Sequence, residues 1–127
     1  MTRNYRVLAV EDDDDTLQLM RLVLRGLPLK VLHAATGADA IAFLEREVPD
    51  LVFLDISLPD MHGWQVLDHF KDDARLSQMR VVVLTSHSES VHRLIGTLQP
   101  VAVYLNKPVA SDELRQRVCD LLDLNDD

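Results

Sequence analysis

Cysteine is nearly absent from this 127-residue chain, which contains one, Cys119. A single cysteine cannot form an internal disulfide or a thiolate cluster for zinc, and we expect it to be a small core residue. Basic residues are also few, since 13 Lys and Arg face 21 Asp and Glu and leave a net charge of -8. This balance argues against direct nucleic-acid binding, because phosphate contacts need clustered basic side chains. We expect cations or basic surfaces as partners.

Long hydrophobic runs are missing too. The longest apolar runs span four or five residues, whereas a membrane helix needs about 20. Residues 1–6 are not followed by the apolar core of a signal peptide. We therefore expect a cytoplasmic protein with no membrane contact. The length and the absence of a linker predict one domain over 1–127, with its core at about 5–123, and no separate output domain.

Five short apolar runs have the length of strands that are buried on both faces of a sheet. They lack the polar alternation of a half-exposed sheet, which is typical of parallel strands. The four clear runs lie at 7–10, 51–54, 81–84 and 101–105, and a weaker one lies at 29–35.

Between these runs the apolar residues recur at helical spacing, near 17–27, 41–48, 64–70, 91–98 and 114–122. Thr36 and Ser111 are predicted N-caps, and Gly26 and Pro49 stand where helices should stop. Alternating strands and helices predict an α/β fold of five strand–helix units, with helices on both faces of a parallel sheet.

Polar residues gather where the predicted strands end. Glu11 and Asp12 follow the first strand, Asp55 the third, Thr85 the fourth and Lys107 the fifth. Ligands bind at this edge of open α/β sheets. Clustered carboxylates attract a hard cation such as Mg²⁺, while an ammonium and a hydroxyl suit the oxygens of a transferring phosphoryl group. Asp55 is then the predicted nucleophile, which forms an acyl phosphate.

Other polar residues receive a structural interpretation. Asp13, Asp14 and Asp15 suit the positive end of a helix without any further role. The histidines form no ligand cluster and are expected at surface or turn positions; they are His33, His62, His69, His87 and His92. Trp64 is expected to pack at the start of a helix.

Four motifs resemble the receiver domains of bacterial response regulators, and together they cover essentially the whole chain. In order they read VLAVEDD from Val7, LDISLPDMHG from Leu54, LTS from Leu84 and YLNKP from Tyr104. The resemblance implies a flavodoxin-like sheet of order 2-1-3-4-5, with two helices on one face and three on the other.

The resemblance also implies the roles of the acidic residues. Asp55 would accept a phosphoryl group from a histidine kinase or a histidine phosphotransfer protein. Asp12 and Asp55 would bind Mg²⁺, or alternatively Mn²⁺, directly. Ser57 would contribute its main-chain carbonyl, and Glu11 would contact the metal through water.

The remaining implied roles concern the phosphoryl group and the output. Lys107 would bind the phosphoryl group, often with a cis peptide before Pro108. Thr85 and Tyr104 would form a switch pair that reshapes the face of the fourth helix, fifth strand and fifth helix, where a target protein or a second copy binds. Such a protein is regulatory and catalyses only its own phosphorylation and dephosphorylation. The chain departs from the family at 98–103, where LQPVAV replaces a Gly-Ala turn.

Two rival functions are considered. An aspartyl-phosphate phosphatase of the haloacid-dehalogenase type needs a second Asp two residues after the nucleophile, where this chain has Ser57, and usually a cap. A receiver-like interaction module without phosphotransfer is disfavoured because the acids, Lys107 and Thr85 are all present. No feature of the sequence identifies a cognate kinase.

Overall fold

The sheet has the predicted parallel topology. The computed structural model describes residues 4–85 and 103–124. Its strands pair in the order β2-β1-β3-β4-β5, all parallel, which confirms the expected flavodoxin-like arrangement. The strands are β1 (Tyr5–Val10), β2 (Leu29–Ala34), β3 (Leu51–Asp55), β4 (Arg80–Thr85) and β5 (Val103–Asn106).

Helices cover both faces of this sheet. In the described ranges they are α1 (Asp14–Val23), α2 (Gly37–Arg46), α3 (Gly63–His69) and the C-terminal helix (Ser111–Leu122), with a 3-10 turn at Ala74–Leu76. The predicted fourth helix near 91–98 lies outside the described residues, as do Ser86, His87, His92 and the atypical stretch 98–102. None of the described helices is long and apolar enough to cross a membrane.

The core divides into two layers because successive strand residues point to opposite faces of the sheet. In β1, Leu8 and Val10 pack against α2 and α3. Their neighbours Val7 and Ala9 pack against α1 and the C-terminal helix. Burial on both faces explains why β1, β3 and β4 read as unbroken apolar runs.

Helix ends follow local capping chemistry, with one correction. Thr36 is the N-cap of α2, as predicted, and its side chain accepts a hydrogen bond from the backbone N–H of Asp39 at 3.0 Å. Ser111 was the wrong N-cap, because the extended backbone residue is Ala110 and Ser111 is already helical. Ala110 cannot cap with its side chain, so the acids Asp112 and Glu113 in the first turn stabilise that helix end.

Candidate functional site

The carboxyl edge of the sheet gathers the predicted site residues. Asp55 ends β3 and Thr85 ends β4, while Glu11 directly follows β1 and Lys107 directly follows β5. Because the strands are parallel, these positions meet at one edge. Lys107 is also fixed through its backbone, since its N–H donates to the carbonyl of Thr85 at 2.8 Å. The peptide bond between Lys107 and Pro108 is cis, as the resemblance implied.

Lys107 connects the two buried carboxylates of the site. Its Nζ lies 2.9 Å from Oδ2 of Asp55 and 2.6 Å from Oε1 of Glu11. The first contact is a hydrogen bond. The second is an ion pair without hydrogen-bond alignment, since Oε1 of Glu11 has no hydrogen-bond partner among the described residues. One ammonium therefore balances two acids.

Burial, together with this imbalance of charge, shifts the pKa values of Glu11 and Lys107. Glu11 is fully buried and Asp55 is 4% exposed. Burial, followed by the hydrogen bond with Asp55, raises the pKa of Glu11 from 4.5 to about 7. Burial lowers the pKa of Lys107, but its close contacts with the carboxylates of Glu11 and Asp55 outweigh burial and leave that pKa raised. Lys107 thus remains charged while Glu11 titrates near neutrality.

The acids are arranged as a cation site would require. Each of Glu11, Asp12 and Asp55 places a carboxylate oxygen within 4.8 Å of the others. The donors are all oxygen, which hard cations such as Mg²⁺ prefer. Asp12 is exposed, so this cluster opens to solvent. In contrast, Asp13 acts locally as the N-cap of α1, where it accepts hydrogen bonds from the Asp15 backbone N–H and the Thr16 hydroxyl.

Ser57 lies in the β3–α3 loop (residues 56–62), which begins beside the site. Its N–H donates to Oδ1 of Asp55 at 3.0 Å, and this bond helps to orient the carboxylate. The loop folds back on itself, because Ser57 pairs with His62 and the Gly63 N–H donates to the Ile56 carbonyl at 2.8 Å. A Cβ atom on Gly63 would lie 2.5 Å from the Asp55 carbonyl oxygen, so only glycine fits where the loop comes back to the end of β3.

Thr85 and Tyr104, the predicted switch pair, lie on one face of the sheet. Thr85 is 1% exposed at the end of β4. Tyr104 is half-buried in β5 opposite Val83, and strand alternation places Val83 and Thr85 on the same side. The Tyr104 ring packs 6.2 Å from the ring of Trp64, which is buried at the start of α3 as predicted.

Two contacts of the site were not predicted from the sequence. His33 is exposed, as expected, but its Nε2 lies 2.7 Å from the Glu11 carbonyl oxygen. Asp60 accepts hydrogen bonds from the backbone N–H groups of Gly37 and Ala38 at the start of α2. The position of His33 near the end of β2 could have indicated it, whereas the partners of Asp60 are more than 20 residues away and give no local signal.

Comparison with known proteins identifies one family and several relatives. The family model described as the response regulator receiver domain matches residues 7–119. Protein PilH of Pseudomonas aeruginosa is 29% identical over 113 residues, which cover 89% of this chain and 93% of PilH. The DNA-binding response regulator MtrA of Mycobacterium tuberculosis is 32% identical over 99% of this chain. The chain spans only 54% of MtrA, about half of its length.

Solved structures show the same fold. The signal receiver domain of a LuxO repressor protein from Vibrio parahaemolyticus has a TM-score of 0.86 and 32% identity, with 95% of this chain and 92% of that chain covered. The beryllofluoride-activated DrrB receiver domain has a TM-score of 0.82 and 26% identity, with 95% of this chain and 99% of the DrrB chain covered.

Proposed function

We propose that this chain, which belongs to the response regulator receiver domain family, accepts a phosphoryl group on Asp55 in a Mg²⁺-dependent reaction. One observation carries the proposal. The half-buried ammonium of Lys107 lies 2.9 Å from a buried strand-end carboxylate, Asp55, beside the exposed acid Asp12. Such an arrangement places a positive charge next to the nucleophile Asp55, and the neighbouring Asp12, a predicted metal ligand, is exposed to solvent.

In the proposed reaction, a carboxylate oxygen of Asp55 attacks the phosphorus of a phosphohistidine on a histidine kinase or phosphotransfer protein. The new bond joins oxygen to phosphorus, and the broken bond joins phosphorus to the imidazole nitrogen. That nitrogen keeps the electron pair and takes a proton from solvent. The Ser57 N–H holds one Asp55 oxygen, and the Lys107 ammonium lies beside the other, where phosphoryl charge would accumulate.

The acids beside Asp55 suit a metal in this reaction. Asp12 and Asp55 would bind Mg²⁺ through their side chains and Ser57 through its carbonyl, while Glu11 would hold a water. The buried carboxylate of Glu11 contacts the Lys107 ammonium at 2.6 Å, and its approach to the oxygens of Asp12 and Asp55 within 4.8 Å fits a neighbouring water or cation. When bound, Mg²⁺ would neutralise the charge on the phosphoryl oxygens.

The output would pass through Thr85 and Tyr104. A phosphoryl group on Asp55 adds acceptors that would draw the Thr85 hydroxyl inward, and the Tyr104 ring would then rotate into the vacated space. The shared face of these residues and the Tyr104–Trp64 contact support a packing change of this kind. We propose that β5 and its flanking helices bind a target protein or a second copy.

Chemical phosphorylation tests the proposal. The protein is incubated with acetyl phosphate and Mg²⁺, and acid-labile phosphate is mapped by mass spectrometry. Wild type and the control Asp72→Asn, which removes an exposed acid away from the sheet edge, should carry one phosphoryl group each, and Asp55→Asn should carry none. A wild type that stays unlabelled would favour the interaction module without phosphotransfer. Full labelling of Asp55→Asn would assign the phosphate elsewhere.

A further inference from the structure

Asp60 stands apart from the acids of the site and faces α2 instead. We infer that Asp60 is a positioning residue, which anchors the β3–α3 loop to α2 and so holds the Ser57 carbonyl where Mg²⁺ would bind. The inference rests on the proposed function, because it concerns the same metal site. It adds a residue that touches neither the metal cluster nor Asp55.

The anchor consists of two hydrogen bonds. The N–H of Gly37 donates to Oδ1 of Asp60 at 2.8 Å, and the N–H of Ala38 donates to Oδ2 at 2.9 Å. These two amides are the first of α2 and have no partner within the helix. The third amide, that of Asp39, is capped by Thr36. Both Asp60 oxygens are therefore used, and these bonds hold the pKa of Asp60 below its ordinary value.

Packing adds a second contact at the same place. A Cβ atom on Gly37 would lie 2.4 Å from Cγ of Met61, the residue after Asp60. Only a glycine at the first position of α2 lets the Met61 side chain lie this close. The tip of the loop is thus fixed to α2 through a carboxylate and a neighbouring side chain.

The loop can transmit this constraint to Ser57. Ser57 and His62 pair across the base of the loop, and the Ile56 carbonyl accepts a hydrogen bond from Gly63. Because these contacts close the base of the β3–α3 loop, a movement of Asp60 at its tip should also move Ser57 at its base. Release of Asp60 should therefore loosen Ser57, while Asp12 and Asp55 keep their own supports.

Mg²⁺ affinity measured by calorimetry tests the inference on the whole chain. Asp60→Ala and the milder Asp60→Asn are compared with Asp39→Asn, which removes an equal charge from the first turn of α2 without touching the loop. We expect Asp60→Ala to weaken Mg²⁺ binding by about tenfold, the lower end of the range for residues that orient metal ligands. Asp60→Asn keeps one acceptor oxygen and should lose less. Asp39→Asn should match wild type.

Hydrogen exchange supplies a readout that a purely structural role would not change. If the Asp60 hydrogen bonds favour Mg²⁺ binding, Mg²⁺ must in turn strengthen those bonds. Amide exchange at Gly37 and Ala38 should therefore slow when Mg²⁺ is added to wild type, and it should not respond in Asp60→Ala. An Asp60→Ala protein that melts at a lower temperature but binds Mg²⁺ like wild type would overturn the inference alone. A wild type that binds no Mg²⁺ would overturn the proposed function with it.

Discussion

Replacement of Glu11 by Gln should stabilise the protein when metal is absent. Glu11 is fully buried, and it shares one ammonium, that of Lys107, with Asp55. Its ionised form is therefore poorly compensated, whereas a neutral amide of similar shape carries no such charge. The same carboxylate is ionised freely in the unfolded chain, so the cost falls on the folded state alone.

The size of this effect follows from the raised pKa. Below pH 4.5 Glu11 is protonated in both states and costs nothing; as the pH rises towards 7, the unfolded chain loses its proton first and stability falls. Above pH 7 the penalty is constant, at roughly 3 kcal/mol, since a tenfold change in ionisation is about 1.4 kcal/mol. Between pH 5 and pH 8 the advantage of Glu11→Gln should grow by about 2 kcal/mol.

Urea unfolding of both proteins in EDTA, at pH 5 and at pH 8, measures this difference. Comparison of variant with wild type at each pH cancels the other titrating groups. Excess Mg²⁺ at pH 8 should reduce the difference, because a bound cation supports the Glu11 carboxylate. An equal difference in unfolding free energy at both pH values, or a Glu11→Gln protein that is less stable than wild type at pH 8, would contradict this prediction.

Three further predictions concern the metal, the switch and the packing of helices. Asp12→Ala should weaken Mg²⁺ binding, measured by calorimetry, by roughly tenfold or more and slow labelling by acetyl phosphate, measured by mass spectrometry. Asp14→Ala should do neither. Equal losses in the two variants would mean that the acids act only through their summed charge. Thr85→Ala should still be labelled, but the NMR shifts at Tyr104 on addition of beryllofluoride should shrink, and undiminished shifts would disprove the coupling. Arg115→Ala should lose about 1 to 2 kcal/mol in thermal unfolding, because the guanidinium donates to two carbonyls at the end of α1; an unchanged melting temperature would contradict this.

The fold was predictable because its signals are local. A parallel strand buried on both faces is an unbroken apolar run, as in β1, β3 and β4, whereas the edge strand β2 is interrupted by exposed Lys30 and His33 and gave a weaker signal. Strand ends also fixed which residues could meet, so the convergence of Glu11, Asp55, Thr85 and Lys107 followed from position alone. The misplaced N-cap at Ser111 shows the limit, since capping depends on backbone angles that differ between adjacent residues.

Contacts between distant segments were not predictable. Asp60 reads as an ordinary turn residue after a proline, and nothing near it indicates that α2 begins against its carboxylate. Likewise, the sequence places His33 at a strand end without showing that its ring contacts the Glu11 carbonyl. Such contacts depend on how loops return over the sheet edge, which hydrophobic periodicity does not encode.

The Lys107 ammonium can also bind an incoming phosphoryl group. Lys107 has three N–H donors, and contacts to Glu11 and Asp55 occupy two directions, so a third is available to an incoming phosphoryl oxygen. The same ammonium is shared by two buried carboxylates, and burial, followed by the hydrogen bond with Asp55, raises the pKa of Glu11. A divalent cation beside these carboxylates would supply the positive charge that one lysine cannot. If Mg²⁺ binds beside Asp55 as proposed, it should therefore reduce the repulsion between two buried acids that share the single ammonium of Lys107.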